Sequence, residues 1–253
     1  MEQNEQILSC ILDAGELLLT AGAEVGRVED TMARMARSYG FERADVLTIT
    51  ASMVVTARHR SGEILTQTRR VTRRETDMRR IDQVNALSRA VCAAPLPLEQ
   101  LRARIQQIAD APNGQSWTTV LAYLLVAGSF AMFFGGSVRD GIAAMICSML
   151  LYVLGRAGAL VKLQPIVLTI VQSASMCLMA WLTVQIGLGQ ALDKIVIGNI
   201  MLLIPGIALV TSLRDMIGGD TISGLLGAFE ALLRAVAIAA GCALVLMQVG
   251  GGA

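Results

Sequence analysis

Polar side chains that could bind a solute or carry a proton cluster toward the carboxyl-terminal end of the chain, within its apolar second half. An arginine can hold a carboxylate bidentately, whereas an Asp or Glu within a membrane can bind and release a proton. We predict that one polar constellation on the cytoplasmic side of a membrane lines a substrate or ion pathway, and its members are Asn199, Pro205, Gly206, Arg214, Asp215, Asp220, Glu230 and Arg234. Gln172 is a further candidate, although it serves equally well in a hydrogen bond between helices.

Two pairs within that set have a structural as well as a functional interpretation. Pro205-Gly206 falls within an apolar stretch, where it removes a backbone hydrogen bond. It marks either a plain helix kink or a helix broken where it lines a wet cavity. Glu230 and Arg234 are four residues apart and able to pair, either in the pathway or as an interfacial salt bridge. The segment from Leu213 to Asp220 is predicted to be a charged, glycine-containing turn.

Five apolar stretches must position these residues, because charged side chains are nearly absent from them between Trp117 and Met247. A helix needs about 20 apolar residues to cross the hydrocarbon of a bilayer. The sequence predicts five transmembrane helices, of which the second is short, over residues 116–135, 140–155, 164–187, 194–212 and 224–248. Small residues recur at four-residue spacing in the first and last spans, which favours close helix packing.

Composition and charge predict that the preceding residues lie in water. Mean hydropathy is +0.59 and 54% of the residues are hydrophobic, which is too apolar for an ordinary globular protein of 253 residues. Before Ser116 the chain has 15 basic and 15 acidic residues, against 6 and 5 after it. The net charge of only +1 gives no indication of nucleic-acid binding.

The distribution of basic residues predicts the orientation of the spans. Arg156 and Lys162 lie between spans two and three, and Arg214 lies between spans four and five. We expect these positive loops and the amino-terminal domain inside, and the carboxyl terminus, which ends in Gly250-Gly251-Gly252-Ala253, outside. The polar start Met1-Glu2-Gln3-Asn4 does not have the character of a signal peptide.

Residues 1–112 are predicted to form a cytoplasmic α+β domain, and residues 113–253 an all-α polytopic membrane domain. Apolar residues recur at helical spacing in two helices before Gly40 and in two more on either side of Pro95 and Pro97. Every odd position from Val46 to Ala57 is apolar, which predicts one strand with a buried face, and Ile64 to Val71 is its hairpin partner. Pro112-Asn113-Gly114 ends the domain.

Other reactive residue types give little support for a metal or cofactor site. His59 is the only histidine, and the five cysteines show no CxxC spacing, so we expect neither a metal nor a cofactor. A run of arginines either contacts anionic lipids or solutes, or forms a solvated face balanced by nearby acids, and its members are Arg69, Arg70, Arg73, Arg74, Arg79 and Arg80.

Two segments together resemble the threonine/serine exporter family. The first runs from Ala21-Gly22-Ala23-Glu24 through Val28-Glu29 and Met32 to Gly40, before the Thr-rich strand. The second runs from Ile204-Pro205-Gly206 through Leu213-Arg214-Asp215, Gly218, Asp220 and Ser223-Gly224 to Glu230-Ala231. The resemblance covers almost the whole chain and implies a multi-pass secondary exporter of the bacterial inner membrane.

The resemblance also has implications for partners. Full-length members of the family continue into a second membrane half, so this chain is similar to the larger subunit of the two-component branch, which includes a bacterial succinate exporter. A small separate membrane protein would then supply the missing spans, in a hetero- or homo-oligomer surrounded by membrane lipids.

The leading hypothesis is therefore a subunit that exports threonine and serine or dicarboxylates such as succinate, with proton coupling through Asp215, Asp220 or Glu230. The sequence contains no Walker A motif, so nothing in it indicates that ATP drives the export. A receptor or assembly scaffold with a cytoplasmic signalling domain is the alternative. A membrane-embedded enzyme is a third hypothesis, but the sequence has no HExxH, no GxSxG and no histidine in any predicted span.

Overall fold

Two compact units make up the chain in the computed structural model, which describes residues 2–49, 51–72, 75–111, 116–161 and 163–250. The first unit combines Met1–Pro112 with Gly206–Phe229, and the second combines Asn113–Pro205 with Glu230–Ala253. Several sequence predictions fall outside the described residues, namely those on Met1, Arg73, Arg74, Pro112-Asn113-Gly114, Lys162 and the last three residues of the chain.

Four amphipathic helices build the core of the first unit, and they match the four that the sequence predicts. They are α1 (Glu2–Thr20), α2 (Val25–Ser38), α3 (Met78–Ala93) and α4 (Leu98–Ala109). Their apolar stripes meet in one core, in which Leu8, Leu12 and Met32 are almost completely buried. Helix α1 stops before Gly22, whose φ of +85° is favourable only for glycine.

A three-stranded antiparallel sheet lies among the described residues of the first unit, in the order β1 (Phe41–Ile49), β2 (Ser52–His59) and β3 (Ile64–Arg70). The prediction of one strand from Val46 to Ala57 is wrong, because the chain reverses between Ile49 and Ser52, which pair with each other. Apolar and polar residues keep alternating through so short a turn, so the periodicity does not reveal it.

Burial of the odd positions holds for β2 but not for β1. Met53 and Val55 of β2 are buried, as the sequence predicts. In β1, however, Leu47 is 61% exposed and Thr48 is only 3% exposed. Thr48 therefore faces inward, and this inversion matters for the site described below.

Two helices after Pro205 complete the first unit, namely α9 (Gly206–Ile217) and the beginning of α10 (Thr221–Gly250). The prediction that Leu213 to Asp220 forms a turn is wrong for its first five residues, which continue α9. Only residues 218–220 form the turn, and Gly219 has a φ of +102° there. The charged residues of this segment are thus displayed on a helix.

The second unit is all-α and packs through small residues. It contains α5 (Ser116–Phe133), α6 (Val138–Val161), α7 (Pro165–Gln185), α8 (Leu192–Leu203) and the remainder of α10. Ala127 and Ala131 of α5 are fully buried. A Cβ placed on Gly198 of α8 would lie 2.6 Å from the Ala127 carbonyl oxygen, so the two backbones are nearly in contact.

The described residues contain three helices that are long and apolar enough to cross a membrane, or four if α8 and α9 form one interrupted span. The predicted second span is not short, because α6 has 24 residues. Helix α5 is apolar but shorter. An α+β unit and several membrane-length helices are therefore present, while the count of five and the orientation of the termini stay predictions.

Candidate functional site

Arg214 and Asp215, in the last turn of α9, hold the start of α2. The backbone N–H of Val25 donates to Asp215 Oδ1 at 3.0 Å, and an Arg214 Nη1 donates to Glu24 Oε1 in an ion pair. Helix α2 begins after Glu24, which makes no capping hydrogen bond with its own side chain. Asp215, only 4% exposed, supplies a cap and a favourable negative charge from a segment 190 residues away.

Asp220 ends the turn between α9 and α10, and its side chain lies near the start of α2. Its backbone N–H donates to the Asp215 carbonyl oxygen at 2.8 Å, and its own carbonyl accepts from Gly224 at 2.9 Å. Its Oδ2 would lie 3.7 Å from a Cβ on Gly26. Asp215 near the end of α9 and Asp220 in the turn before α10 thus place two carboxylates near the first turn of α2.

Thr48 links this connection to the sheet. Its N–H donates to Glu29 Oε1 at 2.7 Å, and its carbonyl accepts from the Ser223 hydroxyl at 3.4 Å. Burial raises the pKa of Glu29 above its ordinary value, the negative charge of Asp220 raises it further, and the hydrogen bonds from Thr48 act in the opposite direction. Glu29 is therefore a half-buried acid that holds its proton more strongly than an exposed glutamate does.

A groove of about 530 Å³ runs beside this contact, entirely within the first unit. The turn before α2, the first residues of α3 and one face of α9 line it, and the lining residues are Gly22, Ala23, Glu24, Arg27, Met78, Ile81, Gly206, Ile207, Val210, Thr211 and Arg214. A Cβ on Gly206 would meet nothing within 4 Å, so this glycine is not required for space. The groove has a charged end and an apolar wall.

Asn199 and Gln172 are buried in the second unit. Asn199 Nδ2 donates to the Ile195 carbonyl at 2.9 Å, and its Oδ1 is buried without a hydrogen-bond partner among the described residues. Gln172 Nε2 donates to the Leu151 carbonyl at 3.1 Å and so joins α7 to α6. The sequence allowed either a pathway role or an interhelical hydrogen bond for Gln172, and the structure shows the hydrogen bond. Packing does not explain why Asn199 Oδ1 is buried without a donor.

Glu230 and Arg234 lie in the part of α10 that belongs to the second unit, and no ion pair joins them in the described structure, although the spacing allows one. Pro205 follows Ile204, the residue that caps the end of α8 and whose N–H still donates to the Ile200 carbonyl oxygen. The break at Pro205 thus separates two helices rather than bending one. Gly206, Arg214, Asp215 and Asp220 all belong to the first unit, in which the last three lie around the start of α2 and Gly206 lies at the other end of α9.

Local sequence patterns did not reveal the partners of these residues. Glu24, Glu29 and Thr48 bind the residues of α9 and α10 or one another, and although all three stood in the family-like amino-terminal segment and its Thr-rich strand, nothing there indicated these contacts. Asp140 was also missed, because an acid beside Arg139 resembles an ordinary loop charge. It is 1% exposed and accepts hydrogen bonds from Ser137, Gln190 and Ala191.

The described residues contain no group of three or more His, Cys, Asp or Glu side chains able to hold a metal ion. Arg69 pairs with Asp13, and Arg80 lies 3.9 Å from Asp77, so at least these members of the arginine run are balanced by nearby acids. The polar contact of α9 and the start of α10 with α2 and β1 is the candidate site of the first unit.

Comparisons with known proteins agree on one family. A family model described as a putative threonine/serine exporter matches residues 9–249. The threonine/serine exporter of Corynebacterium glutamicum is 25% identical over 175 residues, which are 67% of this chain and 36% of that protein. The chain therefore aligns with little more than a third of that relative's length. No solved structure matches the chain.

Proposed function

Because this chain belongs to the threonine/serine exporter family, whose model matches residues 9–249, we propose that it is one subunit of a secondary exporter in a bacterial inner membrane. Its solute is a small amino acid such as threonine or serine, or a dicarboxylate such as succinate. A separate small membrane protein is its proposed partner, as in the two-component branch of the family. The first unit faces the cytoplasm.

One observation carries the proposal: α9, the helix that follows the break at Pro205, is bound to the start of α2. Arg214 pairs with Glu24, and Asp215 caps α2 through Val25. A movement of α2 and of the helices and strands packed against it would therefore be transmitted to α9. Because a break in a membrane helix exposes backbone groups that a polar solute can use, we assign the pathway to this region.

The arginines and acids take distinct roles in the proposed mechanism. Arg214 lines the groove and offers a planar guanidinium to a carboxylate of the solute, in exchange for Glu24. Asp215, Asp220 and Glu230 are the candidates for proton coupling. Asn199, with its buried free acceptor, and Arg234 and Gln172 of the second unit are the remaining pathway candidates.

The distribution of solutes in cells tests the proposal. A strain that lacks the chain should retain more threonine, serine or succinate inside the cells and release less into the medium. Wild-type chain should restore release, whereas Arg214→Gln should not. Arg102→Gln is the matched control, because Arg102 is an exposed arginine of α4 near Glu99. An unchanged distribution of all three solutes in the deletion strain would refute the proposal.

Proton coupling has its own test in sealed vesicles with an imposed pH gradient. Asp215→Asn keeps an oxygen that can accept the Val25 N–H, so it removes the charge while the cap is preserved. We expect Asp215→Asn, Asp220→Asn or Glu230→Gln to make solute flux independent of the gradient. Asp110→Asn, at the end of α4, should leave the dependence unchanged. If all three variants retain it, coupling through these acids is excluded.

A further inference from the structure

The groove in the first unit has a charge that its own residues do not balance. Arg214 is neutralised by Glu24. Arg27 also lines the groove, and it makes no ion pair or hydrogen bond within the described residues. The groove therefore presents two guanidinium groups against one carboxylate, and it has room for one further anionic group.

The opposite wall of the groove is apolar and exposed. Ile207, Val210, Thr211 and Arg214 follow a spacing of three, one and three residues, so they lie on one face of α9. Ile207 is 51% exposed, Val210 57% and Met78 50%. Adjacent exposed apolar side chains that are rimmed by charge indicate a surface that is covered by something else.

The composition of α9 indicates what covers this wall. Together with α8 it has the length and hydropathy of a membrane span, so hydrocarbon is the expected surrounding of its apolar residues. A small hydrophilic solute such as serine would satisfy Arg27 but would offer no apolar group to Val210 and Met78. An amphiphile with an anionic head and a hydrocarbon chain satisfies both ends.

We propose that this groove binds an anionic phospholipid of the surrounding bilayer, with the phosphate on Arg27 and Arg214 and the start of an acyl chain against Ile207, Val210 and Met78. A phosphate accepts two parallel hydrogen bonds from a guanidinium group, which favours arginine at such a site. The bound lipid bridges α9 and the start of α2. This inference shares Arg214 with the proposed solute contact, but its test rests on Arg27, which the proposed function does not use, so the two proposals can fail separately.

Lipid exchange in nanodiscs tests the headgroup contact. The full-length protein is placed in an equal mixture of phosphatidylglycerol and phosphatidylcholine, and retained lipids are counted by native mass spectrometry. Wild type should retain phosphatidylglycerol preferentially, and Arg27→Gln should lower that preference about tenfold, because a charge-assisted contact is lost. Arg37→Gln is the matched control, since Arg37 is an exposed arginine about 15 Å further along α2.

A second pair of variants tests the acyl wall. Val210→Ser removes an apolar group from the groove, whereas Leu209→Ser removes a similarly exposed one from outside it. Only Val210→Ser should reduce retention of phosphatidylglycerol. Thermal unfolding of each variant checks that the fold is kept.

Three results would overturn the proposal. Equal retention of the two lipids by wild type would show that the groove does not select a headgroup. Retention by Arg27→Gln equal to that of Arg37→Gln would remove the proposed contact. Displacement of the lipid by glycerol 3-phosphate at the same concentration would show that the groove binds a soluble anion and needs no acyl chain.

Discussion

The cores of the two units are built from side chains of different sizes. The core of the first unit consists largely of Leu, Ile, Met and Val, such as the fully buried Leu12, Leu18 and Met35. The core of the second is mainly Ala and Cys with fewer large residues, and Gly198 brings α8 almost against the backbone of α5. Water drives large apolar groups together, whereas lipid does not, so helices in lipid depend on close backbone approach.

The two units nevertheless share one device. In each, an aspartate on one helix accepts N–H groups at the start of another helix that lacks a capping side chain of its own. Asp215 does this for α2, and Asp140 does it for α8, where Gln190 and Ala191 donate to its Oδ1 at 2.6 and 2.9 Å. Polar anchoring thus fixes helix starts in both units, while the filling of the core differs.

The strongest test of the shared device is Asp140→Ala. Asp140 Oδ2 also accepts from the N–H and the hydroxyl of Ser137, at 2.8 and 2.7 Å, in a reciprocal cap of α6. Removing the carboxylate takes the acceptor from four partly buried donors, and an unsatisfied buried donor costs about 1–3 kcal/mol. We expect a loss of roughly 4 kcal/mol or more in unfolding free energy, or failure to accumulate in the membrane.

Asp193→Ala provides the matched control for that experiment. Asp193 is an acid in the first turn of α8, mostly exposed and paired with the adjacent Lys194. Thermal unfolding in detergent should show a much smaller loss than for Asp140→Ala. Equal losses would mean that acids near α8 act through general charge and not through the capping contacts.

Shortening a side chain should damage the first unit. Leu12 is completely buried among other large residues, so Leu12→Ala creates a cavity. Such changes lower stability by about 2–5 kcal/mol. Denaturant unfolding of the full-length protein measures the loss, and Leu47→Ala is the control because Leu47 is mostly exposed. A loss below about 1 kcal/mol would show that this core is loosely packed.

Lengthening a side chain should damage the second unit instead. In Gly198→Ala the added methyl group would lie 2.6 Å from the Ala127 carbonyl and 2.9 Å from the Ala131 backbone nitrogen. Backbone atoms cannot rotate away, so α5 and α8 must separate, at about 1–3 kcal/mol. Gly206→Ala is the matched control, with nothing within 4 Å. If thermal unfolding shows equal effects, close approach of α5 and α8 does not determine stability.

The sequence predicted the helices of the first unit because their apolar residues follow the helical period on one face. It also located the helix break, since Pro205 cannot donate a hydrogen bond. It did not predict that Leu213 to Ile217 remain helical. Arg214 and Asp215 look like loop charges, and the partners that hold them on a helix, Glu24 and Val25, are 190 residues away.

Contacts between residues far apart in the sequence also explain why the buried face of β1 and the role of Asp140 were not predicted. Thr48 interrupts no alternation, yet its side chain is buried and its backbone binds Glu29 and Ser223. Asp140 is satisfied by donors 50 and 51 residues further along the chain. Periodicity reports which face of an element is apolar, but a polar contact between distant segments leaves no periodic signal.

The smallest expected effect concerns pH and the polar contact of the first unit. The pKa of Glu29 is raised above its ordinary value of 4.5, mainly by burial and further by Asp220, so the folded state binds this proton more tightly than the unfolded state. Its stabilising contribution is complete below pH 4.5 and is lost as pH rises through the folded pKa. In Glu29→Gln this loss is absent, so the melting temperature of the variant relative to wild type should increase with pH over that window.

Asp220→Asn should reproduce part of the change, because the charge of Asp220 is one cause of the raised pKa of Glu29. The effect should be partial, since burial of Glu29 is the larger cause. A thermal unfolding series from pH 4 to pH 8 on wild type, both single variants and the double variant separates the two contributions. If Glu29→Gln runs parallel to wild type at every pH, Glu29 does not exchange a proton on unfolding, and the contact with Thr48 acts only through its hydrogen bond.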